Sequence, residues 1–272
     1  MYTATNDTHD GFDNAAPEAP EQLSLLSEIL NRDTFAVLGD LRVGHGWRCW
    51  DIGAGDGSVA RWLAARVGTT GRVLASDLKP EHVPSHPRID VVTHDLINDP
   101  WPEPEFDLIH ARLVLMHLPE REELAVRLAG QLRPGGVLVL TDWYCDCPAG
   151  PVASTVDAHT HRIWQQYHDG VHSLGDKTGM DLVWARSAAD ILAAADCTDV
   201  SVRQFRSPGR GGTPSARLAR LHSFMLEPHL VATAGLSADD LAVIRANLLD
   251  TNFEMATYHT YTTVVRVPED RS

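Results

Sequence analysis

The chain has 272 residues, 43% of them apolar, and a formal net charge of −14. That length and apolar share suit one domain with an insertion, or a domain and a half, with a full core. Acidity without any Lys/Arg cluster argues against nucleic acid or an anionic membrane as partner, and no apolar run approaches the roughly 20 residues of a membrane span.

With no basic-then-apolar leader, the expectation is a soluble, cytoplasmic protein, monomeric or homodimeric. The cysteines are four, Cys49, Cys145, Cys147 and Cys197, too few for a disulfide framework in a chain this long. Cys145 and Cys147 form a CxC, short of a zinc signature. Lys79 and Lys177 are the only lysines among 23 basic residues, which reads as the coding bias of a GC-rich genome.

Residues 1–19 are polar and acidic, with Pro17 and Pro20 nearby, and are expected to be a disordered tail or mobile lid. From 21 to 41, Leu25, Leu26, Ile29, Leu30, Val37 and Leu38 recur at helical spacing, predicting one or two helices. A regular alternation follows. Strands are predicted at 47–52, 72–76, 89–93, 106–110 and 137–141, with helices at 58–67 and 119–132, the latter with Pro119 in its first turn. Arg133-Pro134-Gly135-Gly136 reads as a turn. The link at 81–87 holds Pro84 and Pro87 and cannot be a full helix. Beyond 147 the chain is rich in His, Trp and Gly, as in helices of an inserted cap. Then come a helix at 188–195, a strand at 200–205, helices at 214–226 and 238–249, and a strand at 258–267. Near-continuous Val/Leu/Ile strands alternating with helices predict an α/β fold, a parallel sheet covered on both faces.

The stretch from Trp50 to Ser58 concentrates the chemistry. A strand ends in Asp51, glycines alternate at 53, 55 and 57, and a helix begins at Ser58. Such glycines take positive φ and admit a ligand to the backbone, where the helix N–H groups also point. A dinucleotide loop has the spacing GxGxxG, but position 58 is serine. Asp51 and Asp56 would repel a pyrophosphate by about 1–4 kcal/mol per close pair, whereas they would attract an ammonium or sulfonium. Asp77, ending strand two, suits ribose hydroxyls; Asp95, past strand three, suits an exocyclic amine. Taken singly, each of these acids also reads as a helix cap.

Together, Asp51-Ile52-Gly53-Ala54-Gly55-Asp56-Gly57, Val73-Leu74-Ala75-Ser76-Asp77 and Thr93-His94-Asp95-Leu96 resemble the class I S-adenosylmethionine-dependent methyltransferases. Phe106-Asp107-Leu108-Ile109-His110-Ala111-Arg112, Met116-His117-Leu118-Pro119 and Leu132-Arg133-Pro134-Gly135-Gly136 extend the likeness in order over about 45–143. The later chain is similar, more loosely, to a bacterial subgroup met near natural-product genes. The resemblance implies a Rossmann-like seven-stranded sheet, mostly parallel, whose last strand is made antiparallel by a hairpin of 200–205 and 258–267. It divides the chain into the tail (1–19), a cofactor-binding core (20–147), a helical cap after strand five (148–198) and the C-terminal part of the core (199–272). It implies S-adenosyl-L-methionine as cofactor, with Asp51, Gly53, Ala54 and Gly55 at the methionine end, Asp77 at the ribose, Asp95 and Leu96 at the adenine, and Arg112 near the sulfonium through its backbone. Leu78 is the candidate for stacking on the adenine, beside the Pro-rich link where the family often has a helix.

A sulfonium methyl is already activated, so the main task is alignment in a site closed to water. A base is needed only for a protonated nucleophile such as a phenol. His117 is the candidate catalytic base, with capping of the following helix as its structural alternative. Trp143 and Tyr144, after strand five, are candidates for the substrate side. In the cap, His161, Trp164 and His168 fall on one helical face and His168 and His172 lie one turn apart. That pattern reads as a pocket lining, a solvated face or a shared ion, but the spacing requires no metal. The function implied is in-line O-, N- or C-methylation of a small secondary metabolite. The alternatives are a cofactor-binding enzyme of this fold that performs cyclisation, decarboxylation or hydroxylation, and a peptide or protein methyltransferase. A nicotinamide dehydrogenase is disfavoured by Asp51, Asp56 and Ser58.

Overall fold

The structure, a computed structural model, describes residues 16–145 and 156–269, the side chain of Asp176 excepted. The acidic tail up to residue 15, Cys147 and the first residues of the expected cap lie outside the described residues. Among the described residues, β1 (Arg48–Ile52), β2 (Arg72–Asp77), β3 (Ile89–Thr93), β4 (Phe106–Arg112), β5 (Leu132–Tyr144), β6 (Thr198–Arg206) and β7 (His259–Arg266) form one sheet. Its order is β3-β2-β1-β4-β5-β7-β6. β1 to β5 pair in parallel, whereas β7 is antiparallel to both β5 and β6. The expected fold class is thus observed. The antiparallel strand, last in the chain, lies inside the sheet, with β6 at its edge.

The central strands β1, β4 and β5 follow the apolar runs because both their faces are covered, whereas the edge strands β3 and β6 are largely exposed. Trp50, fully buried on β1, has its ring centroid 5.4 Å from Phe106 and 5.6 Å from Trp101. Its indole N–H donates to Ser76 Oγ at 2.8 Å, so the polar atom is satisfied inside the core. Helix α1 (Ala19–Asp40) supplies Val37 and Leu38, and α2 (Ser58–Arg66) supplies Val59, Ala60 and Leu63, to the layer against Cys49, Val73 and Leu108. Two local readings are corrected. Arg133 to Gly136 is not a turn ahead of β5 but a bulge within it, because the register jumps from Phe106↔Leu132 to Leu108↔Val137; Gly135 takes φ 73 there. Helix α3 is Arg121–Gly130, so Pro119 precedes it. The Pro-rich link holds one 3-10 turn, Pro80–His82, as its two prolines require.

The chain divides into two compact units. Of the described residues, the sheet unit comprises 26–145, 181–207 and 258–269, and the helical unit 16–25, 156–180 and 208–257. Helix α4 (Ala158–Thr178) and α6 to α8 (Pro214–Met225, Glu227–Ala234, Ala238–Asn247) belong to the helical unit, while α5 (Ala188–Ala194) stays with the sheet. The helices expected between β6 and β7, assigned from sequence to the C-terminal part of the core (199–272), group instead with α4 in the helical unit. In the helical unit Ile163, Trp164 and Tyr167 of α4 pack with Leu226, Leu230, Leu241, Ile244, Leu248 and Phe253. Gly170 sits where a Cβ would fall 2.7 Å from Leu230 Cδ2, so α4 and α7 approach closely there. Ser237 and Asp240 close a capping box on α8.

Candidate functional site

The order of the sheet reverses between β1 and β4, and ligands of open α/β sheets bind at the carboxyl ends beside such a reversal. The glycine turn lies there. Gly53, Gly55 and Gly57 have φ of 63, 54 and 70. At Gly53 a Cβ would lie 2.3 Å from Val114 Cγ2, so the turn after β1 and the loop after β4 pack with no room for a side chain. Asp56, expected only as a nearby charge, is a local tie: its carboxylate accepts from Ser58 N–H at 2.9 Å and Ser27 Oγ at 2.8 Å. That anchors the turn to α1.

The other acids are placed as follows. Asp77 Oδ2 accepts from the Gly55 N–H at 3.0 Å and Oδ1 from the Lys79 N–H at 3.0 Å, so the carboxylate faces the glycine turn. Leu78 beside it is 62% exposed, an apolar surface open to a flat ligand. Asp95 organises its own loop, Oδ1 accepting from Ile97 and Asn98 N–H and Oδ2 from Asn98 Nδ2. Partial burial pushes its carboxyl up, but those bonds hold it below its ordinary value. With about two acceptor positions per carboxylate oxygen, Oδ2 retains one for an amine. Leu96 is buried, its carbonyl accepting from the Trp101 indole at 2.9 Å. The Arg112 side chain turns to α1, donating to Asn31 Oδ1 at 2.9 Å and Thr34 Oγ1 at 3.1 Å. Burial pulls its guanidinium below the ordinary value, against the charges of Asp51 and Asp56.

Asp51 is 2% exposed and accepts at Oδ1 from Nδ1 of His110, itself 1% exposed, at 2.8 Å. Asp51 Oδ2 and His110 Nε2 are buried without a hydrogen-bond partner among the described residues. Buried polar atoms are generally satisfied, so Oδ2 is an anionic acceptor suited to a cationic ligand. His110 was missed from sequence; its signal was a histidine inside the apolar run of β4.

After β4 the chain turns sharply. Leu113 takes φ 54, with its N–H donating to Thr141 O at 2.8 Å, and the 3-10 turn Leu115–His117 follows. His117 is half-buried there. Asp142 on β5, a second residue missed from sequence, accepts at Oδ2 from the Trp184 indole at 3.0 Å. Burial pushes its carboxyl up to about 7, against the pull of Trp184, the Met116 and Val114 amides, and Arg121. The Asp181 N–H donates to Met116 O at 2.8 Å, so residues 181–184 brace the loop that carries His117.

Trp143 and Tyr144 are half-buried at the end of β5, with ring centroids 5.8 Å from Tyr258 and 5.5 Å from Tyr261 respectively. Adjacent strand residues point to opposite faces, so the two side chains do not share one wall. In the helical unit α4 carries His161, Trp164 and His168 at the expected spacing, but their environments differ. Trp164 is a core residue, stacked 5.1 Å from Phe253 with its N–H on Asn247 Oδ1 at 3.1 Å. His161 is exposed and His168 partly buried. The ring of His168 lies 3.9 Å from that of His172, and burial pushes the His168 imidazole down to about 4.

Residues 50–140 match the family described as Methyltransferase domain. The chain is 30% identical over 192 residues to methyltransferase GfsG of Streptomyces halstedii, covering 66% of this chain and 67% of that protein. It is 27% identical over 163 residues to a sarcosine/dimethylglycine N-methyltransferase of Halorhodospira halochloris, covering 56% of this chain and only 53% of that one. A solved Bacillus halodurans structure overlays with a TM-score of 0.55 at 14% identity, over 87% of this chain and 99% of that chain, which shows the fold alone. On these matches the chain belongs to the class I S-adenosylmethionine-dependent methyltransferase family, as an enzyme whose cofactor is S-adenosyl-L-methionine.

Proposed function

We propose that this methyltransferase acts on an oxygen, nitrogen or carbon of a small molecule of the secondary-metabolite kind, in a bacterial cytoplasm. The observation that carries the reading is the buried Asp51 Oδ2, without a partner among the described residues, beside a glycine turn to which Asp77 is bonded. The donor set fits the cofactor. Asp51 takes the ammonium at the methionine end, where Gly53, Ala54 and Gly55 leave the backbone open. Asp77 would take the ribose hydroxyls, Leu78 would lie against the adenine ring, and Asp95 and Leu96 would meet its edge. Arg112 would meet the sulfonium only through its backbone, its guanidinium being committed to Asn31 and Thr34. When bound, the cofactor would supply a methyl group already activated by a positively charged sulfur.

The chain's own part is then alignment and proton removal. His117 receives the acceptor's proton where one must leave, and the brace of Asp181 and Trp184 keeps its loop in place. One of Trp143 and Tyr144 borders the acceptor, since they face opposite ways. The small-molecule class is supported by the acidic composition and by the sarcosine/dimethylglycine relative.

Incubation with methyl-labelled cofactor and metabolite extracts is the test. Label in a small product, with equimolar S-adenosylhomocysteine, is expected; cofactor binding with no S-adenosylhomocysteine formed rejects transfer. On the acceptor so found, His117→Ala is expected to lower turnover at least about tenfold with little change in cofactor affinity. Wild-type turnover in that variant removes His117 from the chemistry.

A further inference from the structure

We propose that His110 is a positioning residue for cofactor recognition, fixing Asp51 so that one carboxylate oxygen is presented to the cofactor's ammonium; this rests on the reading of Asp51 given above. β1 and β4 pair in the register Asp51↔His110, at the reversal of strand order. The two side chains meet at 2.8 Å and are 2% and 1% exposed. The neighbours of His110 on β4, Leu108, Ile109 and Ala111, are buried apolar residues, as a strand covered on both faces requires. Packing alone is served by a valine or isoleucine at this position, and an imidazole there must be desolvated.

What the imidazole adds is a bond to one oxygen of Asp51. A carboxylate with neither oxygen bonded turns about its terminal torsion, which is broad and two-fold. With Oδ1 held by Nδ1, that rotation stops and Oδ2 keeps a single direction. Oδ2 is the oxygen left without a partner among the described residues. A group already held in its binding geometry loses less freedom when the ligand arrives. The Gly53 turn follows directly from the strand that carries Asp51, so a fixed carboxylate and an open backbone serve one end of the ligand.

The test is calorimetric titration of the full chain with S-adenosylmethionine and S-adenosylhomocysteine at neutral pH, with a melting curve for each variant. Asn places an amide nitrogen near the Nδ1 position, and Gln places it near Nε2. His110→Asn is therefore expected to bind within about threefold of wild type, and His110→Gln and His110→Leu at least about tenfold more weakly. Adding His110→Leu to Asp51→Ala is expected to change affinity by less than about twofold. If Asp51→Ala binds weakly while all three His110 variants bind like wild type, the proposal is overturned and the Asp51 assignment stands. If Asp51→Ala itself binds like wild type, the assignment beneath the proposal fails. Should His110→Leu not fold, the Asn and Gln variants decide: equal affinities in the two overturn the positioning role.

Discussion

The sheet unit and the helical unit both bury ionisable groups, with opposite consequences for how stability changes with pH. In the sheet unit, Asp142 is buried at the end of β5 and its carboxyl is pushed up to about 7. In the helical unit, burial pushes the imidazoles of His168 and His222 down to about 4. The sheet unit's costly groups, Asp51, Asp77, His110 and Asp142, converge on the carboxyl ends of adjacent strands. The helical unit's indole and phenol, on Trp164 and Tyr167, complete core packing by bonding Asn247 and the Ala219 carbonyl. Buried polarity therefore gathers at the strand ends in one unit and completes core packing in the other.

The most severe way to break that contrast is Trp164→Ala. Removing a buried, stacked indole is expected to cost about 3–5 kcal/mol, read as a lower denaturation midpoint, while cofactor affinity per folded molecule stays unchanged. A variant of wild-type stability with weakened cofactor binding makes Trp164 a site residue instead.

Next in size is the pH response of Asp142. Its folded value lies above its unfolded one, so the unfolded chain holds fewer protons between about pH 4 and 7. The stability it contributes is fully present below about pH 4 and is lost as pH rises through about 7. The shift from 3.8 to about 7 corresponds to a loss on the order of 4 kcal/mol. Asp142→Asn is expected to flatten stability across that window in a pH series of chemical melts; an unchanged slope contradicts the raised value. His168 and His222 run the other way: their folded values lie below 6.5, so their contribution is present above that pH and is lost as pH falls through about 4. His222→Gln is expected to remove a smaller part of the acid-side loss. If it alters the alkaline side instead, the two units do not differ as described.

Much of this was legible in the sequence for a physical reason. Strands buried on both faces are short apolar runs, and Leu108 to Ala111 or Val137 to Leu140 announce themselves. Positive-φ glycines at 53, 55 and 57 and a terminal acid at 77 are equally local signals. What stayed hidden depends on partners far along the chain. Pro134-Gly135-Gly136 looks like any turn, and only pairing with β4 makes it a bulge. The helix expected at 214–226 ends where α6 does, and α7 was not expected at all; Pro228 in its first turn was the available sign. Trp164 and His161 share a spacing but not an environment, because the edge of the apolar stripe runs between them. His110 is unremarkable until the register sets it opposite Asp51.

S-adenosylmethionine bound at the carboxyl ends of β1 and β2 would depend on the carboxylates of Asp51 and Asp77. Calorimetric titration of wild type, Asp51→Ala and Asp77→Ala, each confirmed folded by its melting curve, tests it most directly. Each substitution is expected to weaken cofactor binding at least about tenfold, or about 1.4 kcal/mol. Affinities equal to wild type in both folded variants would contradict it.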